Sequence, residues 1–145
     1  MNEQECMDKA LACLAIREHN RSELRRKLVE KGAAPEVADG VLDTLAKNGS
    51  LSETRYASSF IRSSNRRHPE GKSMVLMRLA AKGCEKGAAR EAADELYTPE
   101  YTSLLVEKAT EAIRKKGKAK NAEEIRFSLM KLGFTSSDIR NCNDN

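Results

Sequence analysis

Residues 24–32 read LRRKLVEKG, and the same pattern returns in residues 75–83 (VLMRLAAKG) and residues 125–133 (IRFSLMKLG). Each segment has an aliphatic residue, a leucine four positions later and a glycine four positions after that. The leucine recurs at intervals of 51 and 50 residues, so the chain repeats with a period near 50. Glycine commonly closes a helix just past its last apolar position, because it adopts the left-handed conformation without steric cost. The pattern therefore predicts three equivalent helices, each ended by its glycine.

Further amphipathic stretches flank each of these segments. Apolar residues recur at helical spacing before each one, and helix-starting residues follow each glycine, at residues 35–36, 85–87 and 135–138. No segment shows the sustained alternation typical of strands. We therefore expect an all-α fold of three tandem three-helix repeats, about nine helices, stacked into an elongated, curved array. The helices that precede the repeated segments are predicted over residues 3–19, 52–65 and 98–116.

The repeats are expected to occupy residues 1–50, 51–97 and 98–145. A unit of ~50 residues buries little apolar surface alone, so neighbouring units are expected to share a core. That core is expected to use Leu11, Leu14, Leu24, Leu28, Val37, Val41, Leu45, Tyr56, Phe60, Val75, Leu79, Leu96, Leu105, Ile113, Ile125, Leu129, Phe134 and Ile139.

Several classes of protein are disfavoured by the sequence. No stretch approaches the run of ~18 to 20 apolar residues that a membrane span needs, and the acidic, polar start is unlike a secretory signal. We therefore expect a cytoplasmic protein that contacts no membrane. The four cysteines lack C-x-x-C spacing, and neither histidine lies at ligand spacing from a cysteine pair, so reduced thiols and no metal are expected. The cysteines are Cys6, Cys13, Cys84 and Cys142.

Catalytic signatures are missing as well. The sequence contains no Gly-rich phosphate-binding loop, no paired-carboxylate motif and no nucleophile beside a histidine. We expect His68 to lie exposed in a loop beside Pro69, and His19 to end the first helix, where a cation suits the helix dipole. The prediction is a non-enzymatic protein without a cofactor.

Charge is distributed unevenly, and the unevenness bears on function. Residues 55–90 hold nine Lys or Arg against two acids, a local +7, although the whole chain has a net charge of only +4. Most charge runs are solvated surface, but ordinary surfaces intersperse the two signs. A concentrated positive stretch favours an anionic partner, either a nucleic-acid backbone or an acidic protein surface.

The predicted helix over residues 52–65 places Arg55, Arg62 and Arg66 nearly opposite its packing side. No acid lies three or four residues from Arg62 or Arg66, so these two arginines are expected to be unpaired. The basic stripe continues beyond this helix through Arg67, Lys72, Arg78 and Lys82, and the cations of the whole stripe are expected to lack acidic neighbours that neutralise them.

Two other basic segments are interpreted differently. In the helix over residues 21–31, Glu23 precedes Lys27 and Arg26 precedes Glu30 by four positions, so its charge is expected to be paired internally. Around Gly117, a flexible linker is favoured over a secondary phosphate contact. That second segment contains Arg114, Lys115, Lys116, Lys118 and Lys120.

Aromatic residues are few, and four of them are predicted at core positions: Tyr56, Phe60, Phe127 and Phe134. Single-stranded nucleic-acid sites usually stack bases on exposed aromatic rings. A dedicated single-strand binder is therefore disfavoured.

An ordered set of short motifs carries a family resemblance that covers roughly residues 8–140, most strongly residues 14–96. The motifs are Ile16-Arg17-Glu18, Ser22-Glu23-Leu24, Leu28, Gly32, Leu45, Gly49-Ser50-Leu51, Arg55-Tyr56-Ala57, Phe60-Ile61, Gly71, Leu79 and Lys82-Gly83. In this set the chain resembles the RecX family, bacterial regulators of the RecA recombinase. It departs from that family at residues 68–71, where one glycine stands in place of two, and at Cys84, where an aliphatic residue is usual.

The resemblance implies a protein that binds the groove of a RecA-type recombinase filament and limits filament growth, strand exchange and co-protease activity. We also expect the protein to be a monomer. DNA phosphates are a second possible contact. Two other hypotheses stay open, a DNA-binding helical-repeat protein without a recombinase partner and a helical scaffold for another acidic protein. The binding surface that the resemblance implies consists of Arg55, Arg62, Arg66, Arg67, Lys72, Arg78 and Lys82.

Overall fold

The computed structural model describes residues 1–117, 119 and 121–143, and within them the chain forms nine α-helices and no strand. The all-α prediction is therefore confirmed. The helices are α1 (Glu3–Ile16), α2 (Arg21–Glu30), α3 (Pro35–Lys47), α4 (Glu53–Arg67), α5 (Lys72–Ala81), α6 (Lys86–Leu96), α7 (Pro99–Lys116), α8 (Ala122–Lys131) and α9 (Ser136–Asn143).

The repeated leucine–glycine pattern ends α2, α5 and α8 in the same way. The glycines lie in the left-handed region, with φ of 109°, 87° and 95°. In α2, the amide of Ala33 donates to the carbonyl of Leu28 at 3.0 Å, and the amide of Gly32 donates to Val29 at 3.0 Å. The same pair of hydrogen bonds recurs at the ends of α5 and α8, so the predicted helix stops are confirmed.

The predicted helix starts after each glycine are confirmed too. Pro35 is the first residue of α3. The Glu85 carboxylate accepts from the amides of the first turn of α6. At the start of α9, Thr135 and Asp138 bond reciprocally, each side chain accepting from the other's amide at 2.9 to 3.0 Å.

α1 ends earlier than predicted, at Ile16 rather than at residue 19. Arg17 is extended, and Asn20 caps α2 through a reciprocal pair of bonds with Glu23. His19 is consequently buried beyond the helix end, 2 % exposed, with its Nδ1 3.1 Å from the carbonyl of Arg17. Burial lowers the pKa of the His19 imidazole. The expectation of a cation at the end of the first helix is therefore wrong.

Apolar side chains gather in three clusters, one within α1–α3, one within α4–α6 and one within α7–α9. We call these helix groups the first, second and third units. Among the described residues the clusters are separate except at Tyr97, which packs against the second and the third. The expected common core is therefore not what holds the units together. The domain boundaries inferred from the sequence stay a prediction.

Two residues expected in the core are exposed instead. Leu11 is 43 % exposed, because α1 packs through the smaller side chains of Cys6 and Ala10. Phe127 is 61 % exposed, because the packed residues of α8, Ile125 and Leu129, lie on the opposite face of the helix. Phe127 is about half a helical turn from the packed face of α8, and Leu11 is about a third of a turn from that of α1.

The first and second units meet through polar groups at what we call the first junction. The Glu53 carboxylate accepts from the amide of Arg21 at 2.8 Å and from the amide of Glu85 at 2.9 Å. The fully buried Asn20 donates its side-chain amide to the carbonyl of Lys82 at 3.0 Å. The carboxylate therefore joins the starts of α2, α4 and α6, and the Asn20 amide joins the start of α2 to the end of α5.

The second and third units meet by direct approach of their backbones at what we call the second junction. The amide of Gly71 donates to the carbonyl of Leu132 at 2.8 Å, and the Ser73 hydroxyl donates to that of Gly133 at 3.1 Å. A Cβ atom on Gly71 would lie 2.1 Å from the carbonyl oxygen of Gly133. Only glycine fits at position 71.

Candidate interaction surface

α4 carries four of the candidate arginines and passes beside both junctions. Its start is capped by Ser52, whose hydroxyl accepts from the amide of Arg55 at 3.2 Å. One face is buried through Tyr56, Ala57 and Ile61. The opposite face is left to solvent, and the exposed arginines near the C-terminal end of the helix also suit its dipole.

Arg62 and Arg66 lie beside the second junction. They line a groove of about 330 Å³ between α4 and α7, together with Lys108. Both arginines are exposed, and neither makes an ion pair within the described part of the chain. Within the same residues, the Arg66 guanidinium donates only to the carbonyl of Arg62, at 3.4 Å. For the described residues, the expectation that these two side chains are unpaired is confirmed.

Arg67 and Lys82 lie beside the first junction. They line a cleft of about 240 Å³ between the first and second units. Two acids, Glu18 and Glu23, line the same cleft. Each acid already pairs with another arginine, so Arg67 and Lys82 have no ion-pair partner among the described residues. Their charge is less isolated than that of Arg62 and Arg66.

The remaining three candidate residues are paired with acids, which corrects the expectation that the whole stripe lacks acidic neighbours. Arg55 contacts Glu18 at 2.9 Å. Arg78 contacts Glu70 at 2.9 Å. Lys72 pairs with Asp94.

The pairing was missed because it was sought only along one helix. Glu18 is 37 residues from Arg55 and comes from the first unit. Asp94 lies on α6, and Glu70 lies in the loop before α5. Tertiary structure brings these acids to their cations. A search at spacings of three or four residues detects only pairs on the same helix and therefore does not find them.

Structure divides the seven candidates into two groups. The unpaired group contains Arg62, Arg66, Arg67 and Lys82, and the paired group contains Arg55, Lys72 and Arg78. Side chains already bonded to acids offer little charge to a binding partner. The unpaired group is therefore the stronger candidate for binding an anionic partner.

A polar cluster that the sequence did not indicate supports the groove from below. Asn65 donates to the hydroxyls of Tyr97 and Tyr101, both at 3.0 Å. The hydroxyl of Tyr97 in turn donates to the carbonyl of Glu70 at 3.0 Å, and burial raises its pKa. Glu70 is 3 % exposed and is held by Arg78. The cluster fixes α4, the loop before α5 and the start of α7 against one another.

The basic segments outside the middle unit bear out their interpretations in part. In α2, Arg26 pairs with Glu30 at 3.9 Å, but Glu23 bonds to Arg17 rather than to Lys27. Arg21 and Arg25 pair instead with Asp43 and Asp39 on α3. In the segment around Gly117, residues 114–116 end α7, whereas Lys118 and Lys120 lie outside the described residues.

No group of His, Cys, Asp or Glu side chains in the described ranges is arranged to hold a metal ion. Over the same ranges, every helix is too short or too polar to cross a membrane. The four cysteines are free thiols.

Comparison with known proteins identifies the family. The model of the RecX first three-helix domain matches residues 6–45. The regulatory protein RecX of Leptothrix cholodnii is 34% identical over 137 residues, covering 91% of this chain and 83% of that protein. The chain belongs to the RecX family. The regulatory protein RecX of Pelodictyon phaeoclathratiforme is 28% identical over 131 residues, covering 90% of this chain and 82% of that protein.

Solved RecX structures share the fold. The crystal structure of RecX from Lactobacillus salivarius superposes with a TM-score of 0.82 at 19% identity, covering 98% of this chain and 94% of that one. The all-helical RecX architecture therefore extends over nearly the whole chain. The resemblance inferred from the ordered motifs is confirmed, and the chain is a member of a family of regulatory proteins.

Proposed function

We propose that this RecX-family protein binds a RecA-type recombinase filament and inhibits its ATP hydrolysis, strand exchange and co-protease activity. The observation that supports the proposal is the unpaired group of cations. These side chains form a concentrated positive surface on a chain that belongs to a family of regulatory proteins. A nucleoprotein filament carries negative charge on its DNA phosphates and on acidic side chains. Attraction of this kind speeds encounter and orients the partner.

The mechanism would be steric and electrostatic. The unpaired cations lie beside both junctions, so a partner that contacts them all would lie along the second unit and reach its neighbours. An array of three units placed in the filament groove would occlude the exchange of strands or the addition of subunits. Such a mechanism requires no chemical step by this chain.

Charge reversal of the exposed arginines tests the proposal. The variant Arg62→Glu/Arg66→Glu/Arg67→Glu is expected to lose inhibition of ATP hydrolysis by a recombinase preassembled on single-stranded DNA. These side chains are exposed and make no ion pair in the described part, so helix content by circular dichroism should not change. Arg78 is left intact, because its reversal would strand the buried Glu70.

A matched control reverses three exposed cations of the first unit that make no ion pair in the described part, in the variant Lys9→Glu/Lys31→Glu/Lys47→Glu. Its net charge is the same as that of the test variant, so a general loss of attraction would affect both equally. The control is expected to retain inhibition. Full inhibition by the test variant, or equal loss in both variants, would contradict the proposed surface.

A second candidate function is direct binding of DNA through phosphates, and the exposed guanidinium groups of Arg62 and Arg66 favour it. This function predicts affinity for duplex DNA in the absence of recombinase. The logarithm of the binding constant would fall with the logarithm of salt concentration, with a slope of ~0.9 per phosphate neutralised. Gel-shift titration at two salt concentrations separates this function from one that needs the recombinase.

A further inference from the structure

The groove between α4 and α7 combines unpaired cations with an exposed apolar side chain. Leu104 is 46 % exposed and lines the groove together with Arg62, Arg66 and Lys108. The described residues that line this groove include no Asp or Glu. The cleft at the first junction differs, since two acids line it. The groove is therefore the more strongly anion-attracting of the two concavities.

The geometry of the two helices sets these groups in a fixed order. On α7, Leu104 and Lys108 are one turn apart on the side that faces the groove, and on α4 the same spacing separates Arg62 from Arg66. An extended segment lying in the groove would meet arginines along one wall and a leucine followed by a lysine along the other.

The floor of the groove is held in place without any partner. The hydrogen bond from Asn65 to Tyr101 crosses it at 3.0 Å, and Leu105 beneath it is 3 % exposed. The ring of Tyr101 stands edge-on to that of Tyr97, with centroids 5.4 Å apart. A preformed floor lowers the entropic cost of binding, because few side chains must be ordered when a partner arrives.

We propose that this groove binds an acidic protein segment that carries one apolar side chain. Carboxylates of the segment bond to Arg62, Arg66 and Lys108, and its apolar side chain packs on Leu104. Guanidinium groups bind carboxylates through two parallel hydrogen bonds, which gives the contact direction as well as strength. The inference deepens the proposed function, since it names the chemistry that this part of the surface would recognise on a protein partner.

Nucleic acid fits the groove less well. Single strands bind through stacking of bases on exposed aromatic rings, together with contacts to phosphate. Tyr101, the one aromatic side chain among the described residues that line the groove, is fixed by Asn65 and Tyr97. Leu104 offers no flat π-face for a base, whereas it matches the aliphatic or aromatic side chain of a peptide.

The test uses the full chain and a short fluorescent peptide of aspartate and glutamate with one central leucine, with binding followed by anisotropy. Leu104→Asp and, separately, Arg62→Gln/Arg66→Gln are each expected to weaken binding about tenfold or more. Replacing the leucine of the peptide by serine should weaken binding by a similar factor, because the apolar contact is lost. Oligothymidylate, tested in parallel, should bind the unaltered chain and the uncharged variant Leu104→Ala with the same affinity.

Met77→Asp is the matched control, since Met77 is 67 % exposed on α5 and does not line the groove. This variant adds the same charge and is expected to leave peptide binding unchanged. The proposal would be overturned if the affinity for the peptide were unchanged by Leu104→Asp or by the leucine-to-serine change in the peptide. It would also be overturned if the affinity for oligothymidylate depended on Leu104.

Failure of this inference is distinguishable from failure of the proposed function. If the unaltered chain inhibits the recombinase but Leu104→Asp binds the peptide as well as the unaltered chain does, the groove assignment is wrong and the function stands. If the unaltered chain does not inhibit the recombinase, the proposed function is wrong, whether or not the groove binds the peptide.

Discussion

The two junctions of the second unit are held by different kinds of contact. The first depends on charged and polar side chains, with the Glu53 carboxylate bonded to two amides at 2.8 and 2.9 Å. The second depends on the contact of two backbones at Gly71 and Gly133 and on the buried cluster around Glu70. Each junction also holds one arginine in an ion pair, Arg55 at the first and Arg78 at the second.

This difference separates structural charge from charge that is free to recognise a partner. Arg55 and Arg78 are bonded to acids near the places where units meet, whereas Arg62, Arg66 and Arg67 are not bonded to acids in the described part. A local excess of cations therefore overstates the charge available for binding. The two junctions should also respond differently to substitution and to salt.

The largest effect is expected at the second junction, for Gly71→Ala. The added methyl would lie 2.1 Å from the carbonyl oxygen of Gly133, and neither backbone can yield without losing the hydrogen bond from Gly71 to Leu132. We expect a loss of about 3 kcal/mol in the free energy of unfolding, measured by urea denaturation.

Gly40→Ala is the control for this substitution. Gly40 lies within α3, and nothing stands within 4 Å of the position its Cβ would take. Alanine there should stabilise the chain by about 0.5 to 1 kcal/mol through helix propensity. A Gly71→Ala variant as stable as the unaltered chain would refute the close approach of the two backbones.

The next largest effect is expected for Arg78→Gln. This substitution leaves the Glu70 carboxylate, 3 % exposed, without its cation. We expect a loss of about 2 kcal/mol in the free energy of unfolding. Arg66→Gln, an exposed arginine with no acid partner in the described part, should change stability by less than about 0.5 kcal/mol. Equal effects of the two substitutions would remove the distinction between paired and unpaired cations.

Local signals in the sequence were sufficient for the helices but not for the junctions. The leucine–glycine pattern predicted the ends of α2, α5 and α8, because a helix cap is formed by residues close together in the chain. Arg62 and Arg66 were correctly expected to lack acidic partners, as far as the described residues go. The pairing of Arg55 with Glu18 was not predictable from spacing, because it depends on how two units meet.

The exposed leucine and phenylalanine teach a related lesson. Leu11 and Phe127 lie in helices with apolar residues on more than one face, and apolar character alone did not indicate which face packs. Neighbouring helices decide that choice. The same tertiary contacts assemble Asn65, Tyr97 and Tyr101 into the polar cluster below the groove, which no sequence motif marks.

A smaller effect is expected at the first junction, for Glu53→Gln. The glutamine side chain keeps one acceptor oxygen but loses the negative charge that accepts from the backbone amides of Arg21 and Glu85. We therefore expect a loss of about 1 kcal/mol in the free energy of unfolding. The reactivity of the Cys84 thiol can be used to detect this loss. The thiol is 8 % exposed at the first junction and burial raises its pKa to about 12, so it reacts slowly while the junction is closed.

Labelling of Cys84 by a thiol reagent should therefore require the first junction to open, and Glu53→Gln should accelerate it several-fold. Cys142 lies in the third unit and serves as the internal control. Its labelling rate is expected to stay the same in the variant. Acceleration at both cysteines would mean that the whole chain, rather than the first junction, had been loosened.

The smallest effect, and the one that depends most on conditions, is expected for Arg55→Gln. Its ion pair with Glu18 is partly open to solvent, with side-chain exposures of 49% and 31%. Such a pair contributes about 0.5 kcal/mol or less, and salt near 1 M should abolish even that difference. Most of the loss caused by Arg78→Gln should survive the same salt, because the Glu70 side chain is 3% exposed, although that of Arg78 is 55% exposed. Urea denaturation of both variants at low and high salt measures the contrast, and a salt-sensitive Arg78 effect would mean that the two junctions hold their arginines in the same way.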